Sequence, residues 1–307
     1  MTWPPYPQPA APPPARDAVA PGTPYHRLAR TAGYRWWHPL GGGAALLAAA
    51  VLLGVAVSAG LAAAGLDLEE TGTASPLRAL AIFAGTLLLI ASLVPAVLIA
   101  ARVLGRRVGT VSSVTGRLRV RWLAWCGLLA VVPTAVQLGG LLLLAPGDGP
   151  DPPGGWVGLP TLLVSALVLL PLVPLQAAGE EYLARGWFVQ AVGCWLRSPW
   201  PGIVVGGALW TALHVPSTWY GVADLMLFSL VIGWLTIRTG GLEAAIGLHA
   251  VGNVAVTLIL AALGQLAEEG TAGDADWTLL VADSVALPLY AVAVLALHRR
   301  QKVARLS

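Results

Sequence analysis

Gly179-Glu180-Glu181-Tyr182-Leu183-Ala184-Arg185-Gly186 places two adjacent carboxylates and a guanidinium in a chain that otherwise avoids charge. Charged residues make up 11% of the 307 residues and apolar residues 57%. The acidic pair is flanked by Pro171-Leu172-Val173-Pro174-Leu175 on one side and Trp187-Phe188-Val189 on the other. Ionisable groups are costly inside a bilayer, so a pair kept there points to function and needs a partner close by.

The surroundings define the class. A mean hydropathy of +0.74 and repeated charge-free runs describe a polytopic, all-α membrane helix bundle. Eight runs are long enough, or nearly so, to cross: Leu40–Leu66, Ala79–Ala101, Leu123–Ala145, Val157 through the Glu pair toward Leu196, Pro201–Val215, Asp224–Ile237, Leu242–Leu266 and Thr278–Leu297. Three regions follow: a Pro-rich tail, 1–39, expected to be disordered; a membrane domain, 40–298; and a short basic tail, 299–307. The basic pI of 9.1 reflects short loops between apolar runs, so nucleic acid is not expected as a partner. Cys126 and Cys194 form no CxxC and are expected to be free thiols.

Charge sets the expected orientation. With both termini in the cytosol, sixteen of the eighteen basic residues fall inside, among them Arg102, Arg106, Arg107, Arg117, Arg119, Arg121, Arg197 and Arg238. Asp67, Glu69, Glu70, Asp148, Asp151, Glu268, Glu269, Asp274 and Asp276 fall outside. Trp36, Trp37, Trp122, Trp125, Trp156, Trp195, Trp200 and Trp277 mark the expected interfaces. Asp224 and Asp283 are expected at outer helix ends. The reading is a multi-pass cell-membrane protein whose first partner is the lipid bilayer.

Helix counting supplies the partner of the acidic pair. Glu180 lies 17 residues before Arg197 and His214 lies 17 after it, so a hairpin turning at Arg197-Ser198-Pro199 sets both roughly 25 Å from the turn. His249 follows the turn at Gly240 by only nine residues, roughly 13 Å, so tilt or an interfacial stretch has to make up the difference. Asn253 is on the same face as His249, at i+4. Glu181 and Arg185 are also at i,i+4 and can pair, while Glu180 is turned away by about 100° toward a cavity. Such a group can bind a metal with an open position or activate water without one.

Glu180-Glu181-xxx-Arg185, Trp210-xxx-His214 and His249-xxx-Asn253, in this order on consecutive membrane helices, resemble the three motifs of the CPBP (CAAX protease and bacteriocin-processing, or Abi) family of intramembrane endopeptidases. That family includes the type II CAAX prenyl endopeptidases. The lead-in Arg238-Thr239-Gly240-Gly241-Leu242 and Ala245-Ile246-Gly247-Leu248-His249 is also similar, and the resemblance covers roughly 160–260. It implies cleavage of a membrane-associated or lipidated peptide or protein entering from the membrane or the cytosol. In that reading Glu180 is the base, His214 its partner, and His249 with Asn253 steadies the oxyanion; Glu181 and Arg185 orient the site. A divalent metal such as zinc on Glu180, His214 and His249 is a further expectation. The sequence departs from the family at Trp210, where Phe is common, and at Glu243, where an aromatic is common. Trp210 is expected to pack, and Glu243 to sit at the cytosolic helix mouth. The rival readings are a non-catalytic scaffold or immunity protein and a proton-coupled transporter.

Overall fold

The computed structural model describes residues 14–68, 75–144, 155–267 and 272–307. The prolines of residues 1–13 and the acids Glu69, Glu70, Asp148, Asp151, Glu268 and Glu269 lie outside the described residues. The architecture is a polytopic helical bundle. The helices are α1 (His38–Ala63), α2 (Pro76–Ala91), α3 (Leu93–Val103), α4 (Val120–Leu144), α5 (Leu159–Glu181), α6 (Val189–Trp195), α7 (Trp200–Leu213), α8 (Trp219–Thr239), α9 (Glu243–Ala262) and α10 (Trp277–Gln301). Tyr182–Phe188 is a π-helical stretch that joins α5 to α6.

Among the described residues seven helical stretches are long and apolar enough to cross a membrane, counting α2–α3 as one and α5–α6 as one; α7 is a shorter apolar helix. Large apolar side chains face outward, Leu143 at 87% and Leu167 at 78% exposure. A soluble protein would bury such residues; a bilayer solvates them. The expected interfacial tryptophans are largely exposed, but Trp122 is buried in the core.

Local chemistry sets the helix ends. Ser75 caps α2 by accepting from Arg78 N, and Thr218 caps α8 by accepting from Gly221 N. Pro95 has no N–H for the carbonyl of Ala91, and Ser92 Oγ donates to Leu89 O, so the second crossing breaks between α2 and α3. α5 sits centrally, packed on α9 and α2, while α4 packs on α9 and α10. Gly179 permits the close approach of α2 to α5, since a Cβ there would lie 2.5 Å from Ile90 O.

The stretch expected to be disordered through residue 39 is folded from residue 14. Tyr25 and Leu28 are buried in a core with Val111, Tyr182 and Trp187. Tyr25 OH donates to Val111 O at 2.5 Å. These apolar anchors outweigh the proline-rich flank. Gly22 N donates to Ser307 O and Ser307 N to Thr23 O, so residues 22–23 meet Ser307 on one side of the bundle.

Candidate active site

Residues 108–119, expected to be a basic loop, fold inward beneath the turn between α8 and α9. Val114 N donates to Gly240 O and Leu242 N to Ser112 O. Arg119 closes this base: its side chain donates to both carboxylate oxygens of Glu243, at 2.8 and 2.6 Å, and to Thr239 O and Ala304 O. Glu243 is therefore fully buried, not placed at an open helix mouth. The cause is geometric: the 108–119 segment and the C-terminal tail occupy the space where solvent would be. His249, further along α9, reaches Glu180 Oε2 at 3.6 Å despite the shorter helix count.

α7 runs for 14 residues, about 21 Å, which is short of the ~30 Å hydrocarbon core. His214 is its C-cap residue. Val215 then takes a left-handed φ of 46°, strained for a β-branched residue, and Pro216 bars further helix. Ser217 N donates to Gly273 O and Ser217 Oγ to Asp274 Oδ1, holding this turn against the 272–274 loop. His214 thus stands at the tip of an apolar helix shorter than a full membrane span.

Five of the six expected catalytic residues meet directly. Glu180 Oε2 lies 4.0 Å from His214 Nε2 and 3.6 Å from His249 Nε2. His249 Nδ1 donates to Glu181 Oε1 at 2.7 Å, so the ring stands between the two carboxylates and is bonded to one of them. Glu181 Oε1 also accepts from Arg185 NH1 at 3.0 Å, the expected i,i+4 pair, and both residues are almost wholly buried. Asn253 does not reach Glu180. Its Nδ2 donates to Gln176 Oε1 at 3.2 Å, and Gln176 Nε2 donates to Glu180 Oε1.

Three participants escaped the sequence reading. Gln176 joins Asn253 to Glu180; it is one turn before the pair, which is the only signal it carried. Ser229 Oγ accepts from Arg185 NH2 at 2.6 Å. Trp210 does more than pack: its Nε1–H donates to Glu180 Oε2 at 2.7 Å, which a phenylalanine could not do. The Trp210 ring also lies 4.3 Å from His214 centroid to centroid, and 4.9 Å from the Arg185 guanidinium carbon. A π-helical stretch begins at Tyr182, directly after the pair, as such bulges often do at functional sites.

The hydrogen bonds fix the histidine tautomers. His214 Nδ1 donates to Trp210 O at 2.9 Å, so in the neutral ring Nε2 is an acceptor. Glu180 Oε2 receives Trp210 N–H and is an acceptor too. Two acceptors 4.0 Å apart cannot bond each other, but one water can donate to both. Glu181 Oε2 is buried without a partner, as though the acid is held for its charge toward Arg185 and His249.

Asp224 and Asp283 are not at open helix ends. Both are buried, and Gln137 Nε2 donates to Asp283 Oδ1 at 2.5 Å. Cys126 and Cys194 are free, as expected, and both are buried. The donors for a metal fit poorly. Glu180 Oε2, the carboxylate oxygen nearest both histidines, is also engaged by Trp210. Among the described residues no three His, Cys, Asp or Glu side chains form a group able to hold an ion.

Fold and site together define a multi-pass helical membrane protein with a buried Glu/His/Arg centre. Residues 160–255 match the sequence model of the type II CAAX prenyl endopeptidase Rce1-like family, which bears out over that segment the resemblance read from the motifs. An uncharacterized protein of Bacillus subtilis (strain 168), YyaK, is 31% identical over 106 residues, 32% of this chain. The match covers 34% of that protein, so the chain spans about a third of the curated relative's length. No solved structure matches the chain.

Proposed function

We propose that the chain is an intramembrane endopeptidase in which Glu180 and His214 hold and activate the water that hydrolyses a peptide bond. The observation that carries this reading is the pair of acceptors, Glu180 Oε2 and His214 Nε2, at a separation a water bridges. Glu180 takes a proton from that water, and the hydroxide adds to the scissile carbonyl carbon. The negative charge then formed on the carbonyl oxygen is met by the Nε2–H of His249, doubly protonated between its two flanking carboxylates, and by the amide hydrogen of Asn253 that Gln176 does not use. Protonated Glu180 returns its proton to the leaving amine as the C–N bond breaks. Gln176 and Trp210 hold the carboxylate still. Glu181 and Arg185 hold His249.

The substrate is a membrane-associated or lipidated peptide of the CAAX-processing kind, reached from the membrane or the cytosol. The distribution of Lys and Arg supports an arrangement with both chain ends in the cytosol. A divalent ion such as zinc would have Glu180, His214 and His249 as its donors. Their present arrangement does not form a ligand set, so no step is routed through one.

Terminal proteomics of membranes holding wild-type, Glu180→Ala or His214→Ala protein tests the reading. New peptide termini are expected with the wild type alone; identical products from all three would exclude proteolysis.

A further inference from the structure

The geometry points to a binding site for the phosphate headgroup of an anionic phospholipid, at the membrane interface beside the start of α1. It is distinct from the Glu180 centre and rests on no step of the proposed proteolysis. A cavity of about 670 Å³ opens there between the folded N-terminal segment and the end of α3. Arg16, Thr31, Tyr34, Arg35 and His38 supply its polar wall.

The backbone brings the two arginines to one rim. Ala32 N donates to Ala18 O and Gly33 N to Arg16 O, so residues 16–18 are held beside 32–33. A Cβ at Gly33 would lie 3.1 Å from Arg16 O, so the close approach suits glycine. Among the described residues no carboxylate pairs with Arg16 or Arg35. Asp17, the next residue, is taken by Arg107 at 2.8 Å. Arg35 N donates to His38 Nδ1, which leaves Nε2–H as that ring's donor. The start of α1 adds the positive end of a 26-residue helix. The carbonyls at the end of α3 would repel an anion, but those of Ala100, Ala101 and Arg102 already accept from Leu104, Arg106 and Gly105. The wall is thus rich in donors with few competing acceptors, which suits a phosphate.

The lipid source follows from the sill. Val103 and Leu104 at the end of α3 give the cavity an apolar edge, Val103 being 66% exposed. Below them the outward faces of α1 and α3 present Leu40, Leu47 and Ile99. Trp36 and Trp37 are exposed just before α1 and Trp37 lines the cavity itself, as suits residues at a membrane interface. A headgroup in the cavity can therefore extend its acyl chains along apolar helix surface without crossing a polar barrier.

Native mass spectrometry of the full chain in detergent, titrated with phosphatidylglycerol, phosphatidylcholine or inorganic phosphate, tests this. Arg16→Gln/Arg35→Gln is expected to weaken phosphatidylglycerol binding roughly tenfold or more. Arg117→Gln/Arg121→Gln, which removes equal charge from exposed positions on the same side, is expected to leave it unchanged. Equal loss in both double variants, or none in the first, would overturn the site. Phosphatidylcholine binding as tightly as phosphatidylglycerol would overturn the anionic headgroup, and inorganic phosphate binding as tightly would overturn the lipid. Should the first variant misfold, the wild type alone suffices: its affinity for phosphatidylglycerol must fall as salt rises, and indifference to salt would refute the proposal.

Discussion

Trp210 Nε1–H donates to Glu180 Oε2 at 2.7 Å, from the helix that ends in His214, and so couples the carboxylate to the histidine it faces. Trp210→Phe keeps the aromatic ring and removes this donor alone. We expect the variant to fold and to retain cleavage with a loss of about tenfold, the scale of a hydrogen bond to a charged acceptor. Cleavage rate in reconstituted membranes measures it. A rate equal to the wild type's would remove Trp210 from the site.

Gln176 stands between Asn253 and Glu180, so the three act as one chain. Gln176→Leu and Asn253→Leu are each expected to slow cleavage, and the double variant by much less than the product of the two effects. Sites that share a network are coupled in this way, and a double-mutant cycle reads the coupling. Full additivity would show that the amide of Asn253 acts independently of Gln176.

Arg185 and Glu181 are an ion pair buried almost completely, with His249 and Ser229 as their further partners. Arg185→Ala leaves a carboxylate buried and uncompensated, which costs about 3–5 kcal/mol. Thermal unfolding in detergent should show a clear drop for Arg185→Ala, and a partial recovery for Arg185→Ala/Glu181→Leu. Were Arg185→Ala as stable as the wild type, the pair would not hold this part of the bundle.

The Arg119–Glu243 pair ties the 108–119 segment, the base of α9 and the C-terminal tail together. Glu243→Ala is expected to destabilise the fold by about 3–5 kcal/mol. It should also expose the tail to protease, because Ala304 O loses its fixed donor. Limited proteolysis followed by mass analysis of the C-terminus reports this directly, and an equally protected tail in the variant would contradict the tie.

Asp276 caps α10 by accepting from Thr278 N at 2.9 Å. The Thr278 hydroxyl, which donates to the same carboxylate, holds its pKa below the usual 3.8. With the folded value depressed, the carboxylate's contribution is present above the unfolded value and is lost as pH falls through the folded one. Asp276→Ala should therefore cost about 1 kcal/mol at neutral pH. The gap between variant and wild type should close in strong acid; a gap that persists there would mean that charge is not the cause.

Most of the residues that cluster around Glu180 were legible in the sequence because they are anomalies of composition. Glu180, Glu181, Arg185, His214 and His249 are ionisable groups in apolar runs, and apolar runs leave few reasons to keep them. Hairpin counting matched Glu180 with His214 because helices have a fixed rise, and the pair does meet. Gln176, Ser229 and the donor role of Trp210 were not legible. Polar or aromatic residues in a membrane helix are common enough that spacing alone does not separate a site member from a packing residue. Asp224 and Asp283 were misplaced for a related reason: a helix end in sequence need not be an end in space.

The sequence by itself determined the helical bundle, seven of the eight expected spans and the approach of Glu180 to His214, since hydrophobic length and helical rise are local properties. Only the tertiary structure decided that residues 14–37 fold onto the bundle and that the 108–119 segment closes over the base of α9. It also decided that Asn253 reaches Glu180 through Gln176. Each of these depends on contacts between segments far apart in the chain, where burial of Tyr25, Leu28 and Glu243 outweighs what their own neighbourhoods in the sequence would favour.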